Sequence, residues 1–312
     1  MNPSITIIIT QREAFAPSRE SLESVLAHTP APFDLIYIDG ASPPTVRDHL
    51  RMMAEKYGFR LLRQERFLSP NEAKCLALPL IQSDYAVFID NDVLVQPGWL
   101  EALVNCAEET QAGAVAPLYQ ERLGSEEKLH MLGGRCYIKD DNQQRCFVLT
   151  HDQRKGSLKF AATSRFQTEH IEMHAFLVRA DLLQKHELFD PQIPSLPENG
   201  DFCLTLLKAS VEIWIEPKAR VTVLLPERVH DDDRAFFTTR WSDAWVDQGF
   251  QRFTEKWQLR GAQPVLESQR RWSVAHRVIA YPDSWHRRLK VKSDSILNRR
   301  LLAPLEHHWL NR

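Results

Sequence analysis

The sequence predicts an α/β protein: a mostly parallel central sheet with helices on both faces, followed by a C-terminal helical appendage. Three observations carry this. Over the first 116 residues, short apolar, largely β-branched runs alternate with segments of helical period, the pattern of successive right-handed βαβ units. The runs at 33–38 and 85–89 each end at a carboxylate, where strands of an open sheet face a ligand crevice. After Trp257 the composition shifts: residues 260–312 hold eleven Lys+Arg against Glu267, Asp283, Asp294 and Glu306. That excess of seven leaves about −9 for the remainder of a chain of formal charge −2, so an acidic body carries a basic tail.

The elements follow in order. Ile5-Thr6-Ile7-Ile8-Ile9-Thr10 is uncharged and β-branched, as in a central strand covered on both faces. A helix follows from Ser18, whose hydroxyl serves as cap, with Leu22, Val25 and Leu26 at helical spacing and a stop at Pro30. Residues 33–38 form the second strand, ending in Asp39-Gly40, and 46–57 the next helix. A short strand at 59–62 precedes a helix that starts at Ser69-Pro70-Asn71-Glu72 and runs to about Ile81. Tyr85-Ala86-Val87-Phe88-Ile89 is a buried strand closed by Asp90-Asn91-Asp92. Alternate side chains of an extended chain point the same way, which puts Asp90 and Asp92 on one side and Asn91 on the other. Pro97-Gly98-Trp99 opens a helix through Glu109, and 113–116 is the next strand. Further on, 135–138 and 145–149 flank Lys139-Asp140-Asp141-Asn142 as a hairpin. Residues 169–178 alternate as a strand whose even-numbered face presents His170, Glu172 and His174. A Pro-rich loop with Glu198 and Asp201 precedes a helix at 202–209, and 212–217 and 220–225 are strands.

With 312 residues, 43% of them hydrophobic, the chain can bury a sizeable core as one large domain or a domain plus an appendage. Five cysteines without C-x-x-C spacing indicate neither a disulfide framework nor a structural zinc site, so reduced thiols and a cytoplasmic setting are expected. No basic segment precedes an apolar one at the start, and nowhere do eighteen apolar residues run together, so neither a signal peptide nor a membrane span is expected.

Two hard oxygen ligands one strand repeat apart suit Mg²⁺ or Mn²⁺, which keep open positions for water and phosphate oxygens. The uncharged first strand, Asp39-Gly40 after the second, and Phe88-Ile89-Asp90-Asn91-Asp92-Val93 followed by Pro97-Gly98-Trp99-Leu100 resemble family 2 glycosyltransferases of the GT-A fold. Pro197-Glu198-Asn199-Gly200-Asp201-Phe202 resembles that family's acidic Glu-Asp-x-Asp helix start, and Phe253-Thr254-Glu255-Lys256-Trp257 a phrase common after its core. The resemblance spans roughly residues 4–258. It implies transfer of a sugar from a nucleotide-diphosphate donor, UDP-linked by preference, to an acceptor hydroxyl on a glycan or a lipid-linked molecule, usually with inversion.

What the resemblance implies for individual residues can be stated. Asp39 would accept hydrogen bonds from the donor base or ribose, with Thr10, Gln11 and Arg12 as the neighbouring wall; an alternative is a carboxylate that only caps its turn. Asp92 would ligate Mn²⁺ or Mg²⁺ directly, Asp90 would touch sugar, ribose or a metal-bound water, and Asn91 stands between them in the donor set. Asn71 and Lys74 lie on the preceding helix, where the family often presents polar groups to the donor; an ordinary exposed helix face is the preferred reading for both. The proton acceptor would be Glu198 or Asp201, because the family's second acid is here Asn199; both acids also suit a helix N-terminus. No histidine stands at the family's usual metal position, and His230, before Asp231-Asp232-Asp233, is the nearest substitute. His-x-Glu-x-His at 170–174 can ligate a metal, but acceptor contact is the preferred reading, with His174 foremost.

In the tail, Trp272, Trp285 and Trp309 alternate with basic residues including Arg287, Arg288, Lys290, Lys292, Arg299 and Arg300. Such a segment suits an anionic membrane surface, or packs on the acidic body, or forms a dimer contact. Nucleic acid is not expected, since no binding module accompanies it. The expected organisation is a catalytic domain at 1–258, with a nucleotide-sugar half at 1–116 and an acceptor and base half at 117–258, and a basic extension at 259–312. Two other readings stand beside it: a non-catalytic carbohydrate-binding or scaffold protein, favoured by Asn199 and the missing metal histidine, and a sugar-nucleotide-forming nucleotidyltransferase, disfavoured by the lack of glycine in Thr10-Gln11-Arg12-Glu13-Ala14.

Overall fold

The computed structural model describes residues 3–140, 143–226, 228–281, 283–291 and 295–310. Asp141 and Asn142 of the expected hairpin tip, Lys292 of the basic tail and the Trp309 side chain lie outside the described residues. The first half alternates as expected: β1 (Ile5–Thr10), α1 (Ser18–His28), β2 (Asp34–Gly40), α2 (Pro44–Tyr57), β3 (Arg60–Gln64), α3 (Pro70–Ala77) and β4 (Tyr85–Asp90). β3, β2, β1 and β4 lie side by side, all parallel. Ile7, Ile8 and Ile9 have no exposed surface and every residue of β4 is buried, which is why these strands carry no alternation of polarity.

The chain continues through β5 (Val93–Val95), α4 (Trp99–Thr110), β6 (Ala114–Leu123), β7 (Glu126–Leu132), β8 (Cys136–Asp140), β9 (Arg145–Leu149), β10 (Gln153–Gly156), β11 (Phe166–Thr168), β12 (Ala175–Arg179) and α5 (Ala180–Lys185). Then come α6 (Glu198–Lys208), β13 (Ile213–Leu224), α7 (Asp231–Arg240), α8 (Asp243–Lys256), α9 (Pro264–Arg277), α10 (Trp285–Arg288) and α11 (Ala303–Leu310). β12 runs antiparallel between β4 and β6, and β13 lies parallel to β6, so the parallel sheet extends into a curled, mixed second half. One hydrophobic core runs from Ile7 to Leu266.

Several local expectations are corrected. Ser18 does not cap α1: it is the first helical residue, and its hydroxyl accepts from Asn91 Nδ2 at 2.8 Å instead. α3 ends at Ala77 and passes into a 3₁₀ turn at Leu78–Leu80, because Pro79 cannot donate to the helical ladder. The strand expected over 169–178 is confined to β12, and 169–174 is irregular. The two strands expected at 212–217 and 220–225 are one, β13, whose register shifts between Glu216 and Arg220, around Pro217. The hairpin β6–β7 had no sequence forecast; its strands are polar at the turn end. The basic extension is joined to the body: Leu259 and Leu266 belong to the main core, and Arg260 exchanges backbone hydrogen bonds with Arg145.

Candidate active site

The carboxyl ends of β1, β2 and β4 converge, with Thr10 opposite both Ile38 and Asp90. The turn after β4 is stitched to the turn after β1 by Asn91, which is fully buried. Its Oδ1 accepts from the Arg12 backbone at 3.1 Å, and its Nδ2 donates to Ala14 O at 2.7 Å as well as to Ser18. Asn91 thus has its polar atoms committed inside the protein. Its role in the geometry is to hold Asp90 and Asp92 at the crevice.

Asp92 is 2% exposed. Arg12 Nη1 lies 3.2 Å from its Oδ2, while Oδ1 is buried and has no hydrogen-bond partner. Burial, the largest influence, pushes its pKa up; Arg12 opposes, Asp90 and Glu13 add, and the result is about 6. Arg12 also donates through Nη2 to Glu13 at 2.8 Å. Burial works against the Arg12 charge, but Asp92, Glu13, Asp90 and Glu198 together more than offset it. Glu13 in turn receives Trp241 Nε1 at 2.8 Å and His276 Nε2 at 3.0 Å. Its carboxyl is held well below the ordinary range, since Arg12 and His276 outweigh the effect of burial.

An unpartnered, buried carboxylate oxygen is what a cation-binding aspartate presents before its ion arrives, and an all-oxygen donor set suits Mg²⁺ or Mn²⁺. The residues present therefore fit such a group. Asp92 and the exposed His230, which precedes α7, line one cavity of about 370 Å³ together with Glu13, Arg228 and Asp233.

Other expected residues are placed differently from the forecast. Asp39 has no exposed surface: Gln11 Nε2 (2.7 Å), Ser42 N (3.1 Å), Ser42 Oγ (2.9 Å) and Arg63 Nη1 all donate to it. Gln11 completes the clamp by accepting from Gly40 N at 2.7 Å. Thr10 Oγ1 is buried without a partner. Asn71 and Lys74 are each 2% exposed, which corrects the exposed-face reading. The segment through Asp190 and Ile193 covers them, and Asn71 Nδ2 donates to Asp190 O at 3.0 Å. Burial lowers the Lys74 pKa, opposed by the nearby charges of Asp90 and Glu198.

Glu198 begins α6, where Gly200 lets the Phe147 ring lie so close that a Cβ would meet it at 2.6 Å. Its Oε1 pairs with Arg240, which is 1% exposed and also donates to Pro194 O at 3.2 Å; its Oε2 is buried and unpartnered. Asp201 is not brought to this point. Lys256 Nζ and Trp257 Nε1 each donate to it at 2.8 Å, so its carboxylate ties α6 to the end of α8. His174, forecast as an acceptor contact, has its Nδ1 3.1 Å from Asp90 Oδ2.

Arg240, Glu13 and His276 were not singled out from the sequence. Glu198 and Arg240 are 42 positions apart, and Glu13 is 228 from Trp241 and 263 from His276. No local signal links residues so separated.

A family model described as glycosyl transferase family 2 matches residues 5–168. Among solved structures, the chain is similar to one titled as GalNAc-T7 with UDP, GalNAc and Mn²⁺: TM-score 0.55, 14% identity, 83% of this chain and 56% of that one covered. It is also similar to S. aureus TarS 1–349 in complex with UDP-GlcNAc: TM-score 0.54, 13% identity, with 93% and 76% covered. At these identities the likeness is one of GT-A fold, and this chain spans little more than half the length of the GalNAc-T7 chain. No curated protein matches by sequence. A family match over more than half of the chain, on the strands that bring Asp90 and Asp92 to the crevice, identifies this protein as a member of glycosyl transferase family 2.

Proposed function

We propose that this protein transfers a sugar from a nucleotide-diphosphate donor to an acceptor hydroxyl with inversion, using Asp92 as the metal-binding carboxylate and Glu198 as the base. The observation that supports it most is the pair of buried carboxylate oxygens without partners, Asp92 Oδ1 and Glu198 Oε2. Both carboxylates act on the same guanidinium, Arg12. A buried acid with a free oxygen is costly unless something docks against it. For Asp92 that is a divalent cation, which neutralises charge developing on the leaving diphosphate. For Glu198 it is the acceptor hydroxyl, whose proton the carboxylate takes as the new bond forms.

The remaining residues divide into positioning and charge. Arg240 orients Glu198 by holding one oxygen and leaving the other for the acceptor. Arg12 supplies positive charge beside the diphosphate; the metal's donor set there is all oxygen, so His230, which lines the same cavity as Asp92, is not one of its ligands. Asp39, Gln11 and Arg63 form the rigid floor under the donor base rather than its free hydrogen-bonding edge. Asp201 acts as a tether. Donor binding is assigned to 1–116, and acceptor binding with the base to 117–258. The two similar structures carry UDP or UDP-GlcNAc, which favours a UDP-sugar donor.

The segment 259–312 is assigned to contact with lipid-linked acceptors at a membrane surface. No helix among the described residues is long and apolar enough to cross a membrane. Ile296 is 76% and Leu289 60% exposed, beside Arg288, Lys290 and Arg299. Trp272, in contrast, is half-buried, stacks on His276 and meets Trp241 edge-on, and is withdrawn from that role.

Thermal unfolding against UDP, GDP, dTDP and CDP, with and without Mn²⁺, tests the donor site. A Mn²⁺-dependent rise in midpoint for one nucleotide, abolished by Asp92→Ala, is the expected result. No shift under any condition would move the scaffold reading ahead.

A further inference from the structure

Behind Asp90 lies a buried polar cluster that sugar transfer does not use. His130 comes from β7, Glu121 from β6, and Glu172 and His174 from the irregular segment before β12. His130 Nδ1 lies 2.7 Å from Glu121 Oε2, and His174 Nδ1 lies 3.1 Å from Asp90 Oδ2. A carboxylate accepts, so Nδ1 carries the hydrogen in each ring, and in the neutral form of that tautomer Nε2 holds a lone pair. The two Nε2 atoms face one another at 3.3 Å. Two such lone pairs repel at that separation, and a metal ion that accepts both relieves the repulsion.

The spacing selects the cation. A tetrahedral ion with metal–nitrogen bonds of about 2.0–2.1 Å holds two nitrogen ligands roughly 3.3–3.4 Å apart. The Glu172 carboxylate completes a group of three ligand atoms within 4.8 Å of one another. Carboxylates on the far ring nitrogens, here Glu121 and Asp90, are the usual outer partners of metal-bound histidines. Glu172 is held in place: His151 Nε2 lies 3.0 Å from one of its oxygens, and Asn199 donates to the other at 3.3 Å.

We propose that His130 Nε2, His174 Nε2 and the Glu172 carboxylate bind one zinc-class transition-metal ion, at a site separate from the all-oxygen Asp90/Asp92 position. Imidazole and carboxylate together suit zinc and its neighbours, whereas the diphosphate site suits harder ions. The bound ion fixes the His174 ring, and through it the orientation of Asp90.

The test uses the full chain without nucleotide, so it is independent of the donor reading. Protein stripped by a chelator is loaded with Zn²⁺ or Co²⁺ and dialysed. The wild type is expected to retain one equivalent, and the cobalt form to show the intense ligand-field absorption of a four-coordinate ion. His130→Asn is expected to weaken Zn²⁺ binding by about 100-fold or more, and Glu121→Gln by about 10–100-fold. Asp92→Asn is expected to leave it unchanged. Retention undiminished in His130→Asn, loss in Asp92→Asn, or no retained equivalent in the wild type overturns the proposal. Should His130→Asn fail to fold, the wild-type cobalt spectrum and Glu121→Gln decide: six-coordinate cobalt, or unchanged affinity in Glu121→Gln, refutes it.

Discussion

Replacing Asp92 by Asn should stabilise the metal-free protein while abolishing metal-dependent nucleotide binding. The magnitude follows from the site. Asp92 is 2% exposed, and its pKa is about 6 against an ordinary 3.8. An acid whose pKa is higher folded than unfolded binds more protons in the native state between the two values. Stability therefore falls as the pH rises from about 4 to about 6, and the full loss persists above that. The difference corresponds to about 3 kcal/mol at pH 7. Asn mimics the protonated carboxyl and removes this penalty, while Arg12 keeps Glu13 as a partner. The assay is urea unfolding of wild type and Asp92→Asn in chelator, at intervals from pH 4 to 7.5. The difference between the two proteins cancels the titrating groups remote from Asp92 and reports Asp92 with its charged neighbours Arg12, Asp90 and Glu13. Wild type and variant should match near pH 4, and the variant should be about 3 kcal/mol more stable at pH 7. With Mn²⁺ and UDP the order should reverse in favour of the wild type, because the ion binds only the ionised carboxylate. A variant less stable than the wild type at pH 7 in chelator, or a difference that does not change with pH, would refute the reasoning.

Three further outcomes are expected. Glu198→Gln should leave the nucleotide-induced thermal shift intact and lower turnover by about 10²–10⁴-fold, measured as nucleotide diphosphate release once an acceptor is in hand. Arg240→Ala strips a nearly buried carboxylate of its cation, the two side chains being 2% and 15% exposed; equilibrium unfolding should show a loss of about 3–5 kcal/mol, and a smaller loss in the double variant with Glu198→Gln. Ile296→Asp together with Leu289→Asp should abolish co-sedimentation with vesicles rich in anionic lipid without changing the Mn²⁺ and UDP response; wild type that stays in solution at low salt refutes membrane contact.

The fold was legible in the sequence where period and burial agree. β1 and β4 are covered on both faces, so their uncharged runs had no competing interpretation, and the alternation with helices fixed the parallel half. Legibility failed where the chain's partners are distant. The strand forecast over 169–178 rested on alternating polarity, but His170, Glu172 and His174 owe their spacing to contacts with Asn199, His151, His130 and Asp90, reached from separate elements. For the site, the position of Asp90 and Asp92 was readable because a strand end is a local feature. The surroundings of Asp39, Lys74 and Asp201 were not, since each depends on what covers it.

The forecast's weakest assumption was that acidic residues near a crevice are free to face it. Of the carboxylates weighed, Asp39 and Asp201 are saturated by protein donors, and Asp90 is bonded to His174. Asp92 and Glu198 instead divide their oxygens, one held by an arginine and one left unpartnered in the interior. An arginine on one oxygen fixes the direction of the group, and the other oxygen is left without a protein partner. Both arginines are tied down far along the chain. Arg12 leads through Glu13 to His276 on α9, and Arg240 lies 4.5 Å from the ring of Trp241, which also bonds Glu13. The C-terminal extension thereby takes part in aiming both carboxylates, so a disturbance at His276 should reach the crevice through Glu13 and Arg12 without any contact to donor or acceptor.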